Sequence, residues 1–303
     1  MVEERAFTQG LAKFFGTAHG LQIGIGDDAA VVQNRGSNSV LCCDPVVQGV
    51  HFTERDSPQD VGRKAVNRNL SDLAAMGAVA DWLLVSLVLP RGFAARRRHA
   101  LLAGIRRAAR QAKCTVVGGD VATGRGPLVV TVTAVGHLPG RALQRSGARV
   151  GDTLHVTGPL GGSRAGHHLR FRPALREGVW LARQRAVHAA IDVSDGLLLD
   201  LQTLLLASGG LGAEIDARAL PISAAARRLA AGGPRSALRH ALGDGEDHVL
   251  LWTQSARSLP MGGPLTDRAR RPIGRVLRER GLWLVHKGRR ERVQHEGFQH
   301  ALS

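Results

Sequence analysis

The sequence has few aromatic residues and few cysteines. It contains no Tyr, and aromatic residues make up only 4% of its 303 residues. A base-stacking surface for single-stranded nucleic acid would therefore have few side chains to form it. The three cysteines, Cys42, Cys43 and Cys114, have no C-x-x-C spacing, which argues against a disulfide framework and against a structural zinc site. We therefore expect a reducing compartment.

Long apolar runs are also absent. No run reaches the roughly 18 residues that a membrane span needs, and residues 1–5 lack the basic segment and apolar stretch of a secretory signal. We expect a cytoplasmic protein without a membrane partner. The formal net charge is +16, but only four of the 41 basic residues are Lys, and the arginines are scattered along the chain. This pattern favours an arginine-rich soluble protein over a specific nucleic-acid binder.

The length favours two domains, which we place at residues 1–138 and 139–303. In the first, strands are predicted at residues 39–43, 82–89, 115–117 and 128–135. A first helix is predicted to begin at Ser57 as N-cap, with Pro58 in the first position, and to run to Met76 before Gly77. A second helix is predicted at residues 93–112.

The second half begins after a polar connection at residues 139–151. A strand at 153–157 precedes a Gly-rich turn, and a helix is predicted at Leu197–Ala207, closed by Gly209 and Gly210. Further strands are predicted at 211–215 and 248–253. Residues 275–277 and 282–285 are predicted to form a hairpin with Gly281 near its turn.

The aspartates have an unusual placement for so basic a protein. Several lie beside glycines or at the ends of predicted strands: Asp27, Asp28, Asp44, Asp72, Asp120, Asp192 and Asp195. If these carboxylates converge, their repulsion requires cations, and Mg²⁺ is the usual ion bound by a few carboxylates together with substrate phosphates.

Each acidic motif also has a purely structural interpretation. Asp27 and Asp28 fit an ordinary Gly-Asp turn, Asp120 fits a turn cap, and Asp192 to Asp195 fit a helix N-terminus. An unpaired Asp72 among apolar neighbours is costly, which favours a functional role. Alternation along an extended strand places Asp192 and Ser194 on the same side.

The common nucleotide-binding signatures are missing. No GxxxxGK[ST] motif occurs, and residues 24–29 only partly match GxGxxG while carrying two negative charges, where a dinucleotide loop needs bare backbone donors. A P-loop kinase and a dinucleotide enzyme are both disfavoured. The candidate phosphate-binding turns are Gly118-Gly119 and residues 158–163.

Eight segments in order resemble the thiamine-monophosphate kinases of the aminoimidazole-ribonucleotide-synthetase-like superfamily. They are GIGDDAAV (24–31), DPVVQGVHF (44–52), NLSDLAAMG (69–77), GGD (118–120), RSGARVG (145–151), AIDVSDGL (190–197), IDARALP (215–221) and GED (245–247). The resemblance implies an α/β fold with an N-terminal mixed-sheet domain that dimerises and a C-terminal α/β domain. It also implies ATP and Mg²⁺ as cofactors, thiamine monophosphate as the small-molecule substrate, and a homodimer.

The resemblance also implies roles for single residues. The magnesium positions are Asp28, Asp44, Asp72, Asp120, Asp192 and Asp195, with Asp27 and Cys43 as neighbours. The nucleotide positions are Gly119, Asp120, Arg145 and Ser194, and the substrate positions are His51, Glu246 and Phe298. Asp28, Asp44, Asp72, Asp120 and Arg145 are the implied catalytic group. A structural role for His51 and ordinary packing for Phe298 remain open.

The sequence departs from the family pattern at two places. Cys42 and Cys43 replace the usual hydroxyl residues, and thiols are poor ligands for Mg²⁺, so carbonyls or water would act there. A soft-metal site formed by both cysteines and His51 is disfavoured, because adjacent strand residues point to opposite faces. The usual GGEDYE appears as residues 244–249, DGEDHV, and the segment at 166–190 is short.

The sequence leaves two alternative functions open. Within the superfamily, a cyclising ligase or a selenophosphate-type synthetase is the alternative, although the nucleophilic cysteine loop of the latter is missing. Outside it, a non-catalytic nucleotide- or RNA-binding module is the alternative. Retention of all the matched aspartates argues against lost activity.

Overall fold

The computed structural model describes residues 20–34, 37–256 and 259–293. In this part of the chain, two mixed β-sheets and seven α-helices form. All strands of the first sheet precede residue 138, and all strands of the second follow residue 152. Within the described residues, no helix combines the length and apolar character that crossing a membrane requires.

The first sheet has six strands in the order β1-β2-β3-β6-β4-β5. Their bounds are β1 Leu21–Ile23, β2 Ala30–Asn34, β3 Ser37–Val47, β4 Val79–Pro90, β5 Thr115–Gly124 and β6 Val129–His137. Only the β4–β5 pair is parallel among these pairings. Helices α1 (Pro58–Ala75) and α2 (Ala95–Gln111) cover one face of the sheet.

Helix α1 lies between this sheet and the second half of the chain. Pro58 occupies the first turn, as its fixed φ favours, although Ser57 at the N-cap makes no side-chain capping bond. The helix ends before Gly77, whose φ of +71° suits glycine. At Gly77 an added Cβ would meet the Ala182 Cβ at 2.5 Å, so glycine also allows the two halves to approach closely.

The second sheet has seven strands in the order β13-β12-β9-β11-β7-β10-β8. Their bounds are β7 Thr153–Val156, β8 Val187–Asp192, β9 Gly212–Asp216, β10 Leu250–Gln254, β11 Gly274–Leu277, β12 Gly281–His286 and β13 Arg289–Val293. The helices of this half are α3 Leu175–Ala182, α4 Leu197–Ala207, α5 Ala224–Ala231, α6 Ala237–Gly243 and α7 Asp267–Arg270.

The predicted hairpin between β11 and β12 is wrong. Both strands pair with β9, β11 antiparallel and β12 parallel, so β9 lies between them. The chain therefore crosses over β9 at residues 278–280 instead of turning back on itself. The hairpin that does form joins β12 to β13.

Each half has its own apolar core, and a third apolar cluster connects the two halves. Ala74 and Ala75 of α1 pack with Leu143, Leu181 and the fully buried Trp252 of the second half. The end of α1 therefore belongs to the core of both halves. A domain boundary at residue 138 lies just after the last strand of the first sheet, and it stays a prediction.

Candidate active site

Three buried or half-buried carboxylates meet between the two halves of the chain. Asp28 lies in the turn between β1 and β2, Asp72 in the last turn of α1, and Asp192 at the end of β8. Each offers one carboxylate oxygen, and these oxygens all lie within 4.8 Å of one another. The acid cluster is thus assembled from a turn, a helix and a strand that are far apart in sequence.

Asp28 is held from one side only. Its Oδ1 accepts a hydrogen bond from Arg145 Nη2 at 2.9 Å, while its Oδ2 is buried and has no partner among the described residues. Burial raises the pKa of Asp28 to about 7, and Asp192 and Asp27 add to this, although Arg145 opposes it. An orphaned buried carboxylate oxygen is costly, and a cation is the partner that would satisfy it.

Asp72 and Asp192 differ in their surroundings. Burial and the neighbouring carboxylates of Asp44, Asp192 and Asp28 raise the pKa of Asp72 well above its usual value. Burial would also raise the pKa of Asp192, but hydrogen bonds and charge from His248, with a hydrogen bond from Ser71, bring it below its usual value. Ser71 Oγ donates to Asp192 Oδ2 at 2.6 Å, and His248 Nδ1 lies 3.3 Å from the same oxygen.

Asp44 lies beside this cluster on β3. Its backbone N–H donates to Asn69 Oδ1 at 2.9 Å, which fixes β3 against α1. Its carboxylate accepts a hydrogen bond from Arg68 Nε at 3.0 Å. Asn69 and Arg68 come from the segment that also supplies Ser71 and Asp72, so one stretch of α1 organises much of the site.

The two adjacent cysteines point to opposite faces of the first sheet. Cys42 faces α1, where its Sγ donates to the Asn69 carbonyl at 3.3 Å. Burial first, then the charges of Asp72 and Asp44, raise its pKa well above the usual value. Cys43 is exposed on the other face beside Thr133 Oγ1, at 3.2 Å. Through its side chain, Cys42 rather than Cys43 borders the acid cluster.

A small cavity of about 100 Å³ opens beside the acid cluster. Among its lining residues are His51 and Glu246, predicted to contact substrate, and Ser194 and Asp195. His51 Nδ1 accepts from the Val47 N–H at 3.0 Å, which leaves the proton on Nε2 in the neutral ring. The structure therefore brings His51 of the first half together with Ser194, Asp195 and Glu246 of the second.

Lys64 is a fully buried cation behind this cavity. Its Nζ donates to the His51 carbonyl at 2.5 Å and contacts His168 Nδ1 at 2.7 Å. It also forms an ion pair with Glu246 Oε1 at 2.6 Å, although the angle is poor for a hydrogen bond. Burial lowers the pKa of Lys64, and Glu246 opposes this. Lys64 thereby ties α1 to the 244–249 loop of the second half.

Two other aspartates support loops. Both Asp27 carboxylate oxygens accept from the Arg145 backbone N–H at 3.3 Å, and Oδ1 accepts from that of Asp28 at 3.0 Å. Asp200, which the sequence interpretation did not identify, accepts from the backbone N–H groups of Asp195 and Gly196 at 2.9 and 3.0 Å. It thereby holds the turn that presents Ser194 and Asp195.

Gly119 and Asp120 lie away from the acid cluster within the chain. The register runs from Asp44 through Val132 and Val85 to Gly119, so Gly119 lies three strand spacings, about 14 Å, from Asp44. Asp120 follows it on the edge strand and is exposed. Glycine is required at 119, because its φ is +149° and a Cβ would lie 1.8 Å from the Val85 carbonyl oxygen. Phe298 lies outside the described residues.

The residues present suit Mg²⁺. They offer hard carboxylate oxygens from several elements, one of them orphaned and buried, in a pocket where two pKa values are raised by burial and mutual repulsion. Among the described residues, no such group includes a cysteine. Asp28, Asp72 and Asp192, with Asp44 beside them, are the residues that would hold the ion.

Known proteins resemble this chain over most of its length. The family model described as "AIR synthase related protein, N-terminal domain" matches residues 26–138. The thiamine-monophosphate kinase of Rhodopirellula baltica is 42% identical over 294 residues, covering 92% of this chain and 91% of that protein. That of Mycobacterium tuberculosis is 36% identical over 287 residues, covering 88% and 84%.

Solved structures show the same fold. AaThiL complexed with AMPPCP and TMP matches with a TM-score of 0.87 at 29% identity, covering 99% of this chain and 97% of that chain. The hydrogenase maturation protein HypE of E. coli matches with a TM-score of 0.69 at 19% identity, over 97% and 98% of the two chains, which shows the fold alone. From its sequence relatives and the acid cluster it presents, the chain belongs to the thiamine-monophosphate kinase family.

Proposed function

We propose that the protein transfers the γ-phosphate of ATP to thiamine monophosphate, giving thiamine diphosphate and ADP. The observation that carries this proposal is the convergence of Asp28, Asp72 and Asp192 between the two halves of the chain. The relatives named thiamine-monophosphate kinase and the neighbour that holds AMPPCP and TMP support the choice of nucleotide and acceptor.

Mg²⁺ is the proposed cofactor. Asp28, Asp72 and Asp192 would hold it, with Asp44, Asp195 and Asp120 as further candidates. When bound, magnesium neutralises phosphate charge and brings two anionic groups together. The protein's part is to keep these carboxylates in place. Ser71 and His248 fix Asp192, and Arg145 fixes Asp28.

The acceptor chemistry needs little more than positioning. A phosphate monoester has a second pKa of about 6, so its oxygen is already anionic near neutral pH and no general base is required. Arg145, Gly119 and Ser194 are the proposed nucleotide contacts. His51 and Glu246, fixed by Val47 and Lys64, are the proposed contacts of the acceptor.

A homodimer is the proposed assembly, because the first sheet leaves an apolar face and an edge uncovered. Trp82, Leu84 and Val88 on β4 are 54%, 43% and 40% exposed, and Val121 on β5 is 61% exposed. Large exposed apolar patches are rare on monomers, and the outer side of the ten-residue edge strand β5 can pair with another chain.

Two further proposals concern the division of the chain into domains and its location in the cell. The first sheet and the second each have their own apolar core, which supports a division of the chain near residue 138. All three cysteines are free, which supports a cytoplasmic location.

The deciding experiment is an incubation of the purified chain with ATP, Mg²⁺ and thiamine monophosphate. We expect thiamine diphosphate and ADP in equal amounts, separated by chromatography. ADP without thiamine diphosphate, in a preparation free of contaminating phosphatase, would refute the acceptor. Asp72→Asn should abolish turnover, whereas Asp267→Asn, an exposed aspartate of α7, should leave it unchanged.

A further inference from the structure

Helix α1 carries a second cation at the active site that the sequence interpretation did not identify. Lys64, Arg68 and Asp72 are spaced four residues apart, so they lie on one face of the helix. That face is directed toward the acid cluster and the small cavity beside it. Arg68 therefore lies between a buried lysine and a carboxylate of the cluster.

Arg68 keeps most of its donors available. Its Nε donates to Asp44 Oδ2 at 3.0 Å, and this is its one hydrogen bond within the described part of the chain. A guanidinium has five N–H donors, so both terminal nitrogens retain theirs. The side chain is 19% exposed, and it lines the cavity together with His51, Ser194 and Glu246.

The other cations near the cavity are already occupied. Lys64 is fully buried, and its ammonium group already contacts the His51 carbonyl, His168 Nδ1 and, as an ion pair, Glu246. Arg145 is paired with Asp28 and Gly26, on the other side of the acid cluster. Of the residues described as lining the cavity, Arg68 alone has a permanent positive charge.

The position of Arg68 suits a phosphate group. Asp44 anchors the guanidinium through Nε, and its two terminal nitrogens then form the planar fork that pairs with phosphate oxygens. We propose that Arg68 binds the phosphate of the acceptor, and that it thereby makes the enzyme select thiamine monophosphate over unphosphorylated thiamine. This inference rests on the proposed function.

The test compares two ligands on the complete chain. The protein is saturated with Mg²⁺ and AMPPCP, and thiamine monophosphate or thiamine is titrated in by calorimetry. In Arg68→Gln we expect affinity for thiamine monophosphate to fall about 10- to 100-fold, as loss of charge-assisted hydrogen bonds predicts, with thiamine affinity unchanged. Arg68→Lys, which keeps the charge without the fork, should lose a smaller factor. Arg107→Gln, an exposed position on α2, is the control.

Steady-state kinetics distinguishes an effect on binding of the acceptor from an effect on binding of ATP. Arg68→Gln should raise the KM for thiamine monophosphate and leave the KM for ATP unchanged, whereas Arg145→Gln should raise the KM for ATP. An unchanged preference for thiamine monophosphate over thiamine in Arg68→Gln overturns the proposal. Equal weakening of ATP and acceptor binding also overturns it, because Arg68 would then only hold Asp44.

These experiments distinguish failure of the proposed function from failure of the role of Arg68. If the wild-type chain forms no thiamine diphosphate, the proposed function fails, whatever the variants do. If the wild type is active and Arg68→Gln does not fold, as judged by circular dichroism, Arg68→Lys decides the question. A severalfold loss of preference for thiamine monophosphate in that variant supports the role, and an unchanged preference refutes it.

Discussion

Replacing Asp72 by Asn should stabilise the metal-free protein while abolishing its response to Mg²⁺. The cluster oxygens lie within 4.8 Å of one another, so each ionised pair repels by about 3.5 kcal/mol at an effective dielectric constant of about 20. Asp72 takes part in two such pairs, with Asp28 and with Asp192. Proton uptake limits the cost, because the pKa of Asp28 rises to about 7 from 3.8, a shift worth about 4 kcal/mol. We therefore expect a net gain of roughly 2–4 kcal/mol near pH 8.

The assay is thermal unfolding followed by circular dichroism near pH 8, in excess EDTA and again in excess MgCl₂. A gain of that size corresponds to a rise of roughly 3–6 °C in Tm for a chain of this length. The wild type should gain stability with Mg²⁺ by mass action, and Asp72→Asn should not. The exposed Asp267→Asn variant should follow the wild type in both conditions.

Two results would refute this reasoning. A metal-free Asp72→Asn protein that is less stable than the wild type would mean that the carboxylate is satisfied without a cation. A magnesium-induced rise in Tm equal to that of the wild type would mean that the ion binds elsewhere. Either result would also remove the main support for the metal site.

Further predictions concern the same site and the open sheet. The stability of the metal-free wild type relative to Asp28→Asn should decrease as pH rises from about 4 to about 7, because a raised folded pKa favours the protonated folded state; urea unfolding across this range measures it. Cys42→Ser should lower the Mg²⁺ concentration for half-maximal activity, whereas Cys43→Ser, on the opposite sheet face, should not. Trp82→Glu should shift a homodimer to monomers in analytical ultracentrifugation, while the exposed Leu206→Glu should not.

Sequence patterns predicted the elements whose signals are local. The helix α1 was predicted from its N-terminal Ser57-Pro58 and from Gly77 at its end, and the strand β4 from its Val and Leu content, and the structure confirms both. The hairpin at β11 and β12 was wrong because two short strands near a glycine look the same whether they pair with each other or flank a third strand. The edge strand β5 continues to Gly124, whereas the prediction ended at residue 117. The prediction stopped early because the glycines and exposed residues after that point show no apolar pattern.

The acid cluster could be predicted only in part. The aspartates were recognisable from their motifs, but which of them converge depends on how the two halves pack, which spacing along the chain does not determine. Arg68 and Lys64 were missed because charged residues on a helix usually face solvent. The signal that could have revealed them is the four-residue spacing from Lys64 to Arg68 and from Arg68 to Asp72. His248 and Ser71 act through Asp192, so only the fold shows their role.

The arrangement of α1 limits how its length can change during evolution. Each residue advances an α-helix by about 100°, so a single inserted or deleted residue between Lys64 and Asp72 would rotate one of them to another face. The lysine would then lose Glu246, or the aspartate its place in the acid cluster. Most of the side chains between these two residues are buried as well, so their size is also restricted: Ala65, Val66, Asn67, Asn69, Leu70 and Ser71. This stretch should therefore keep a constant number of residues and tolerate few substitutions.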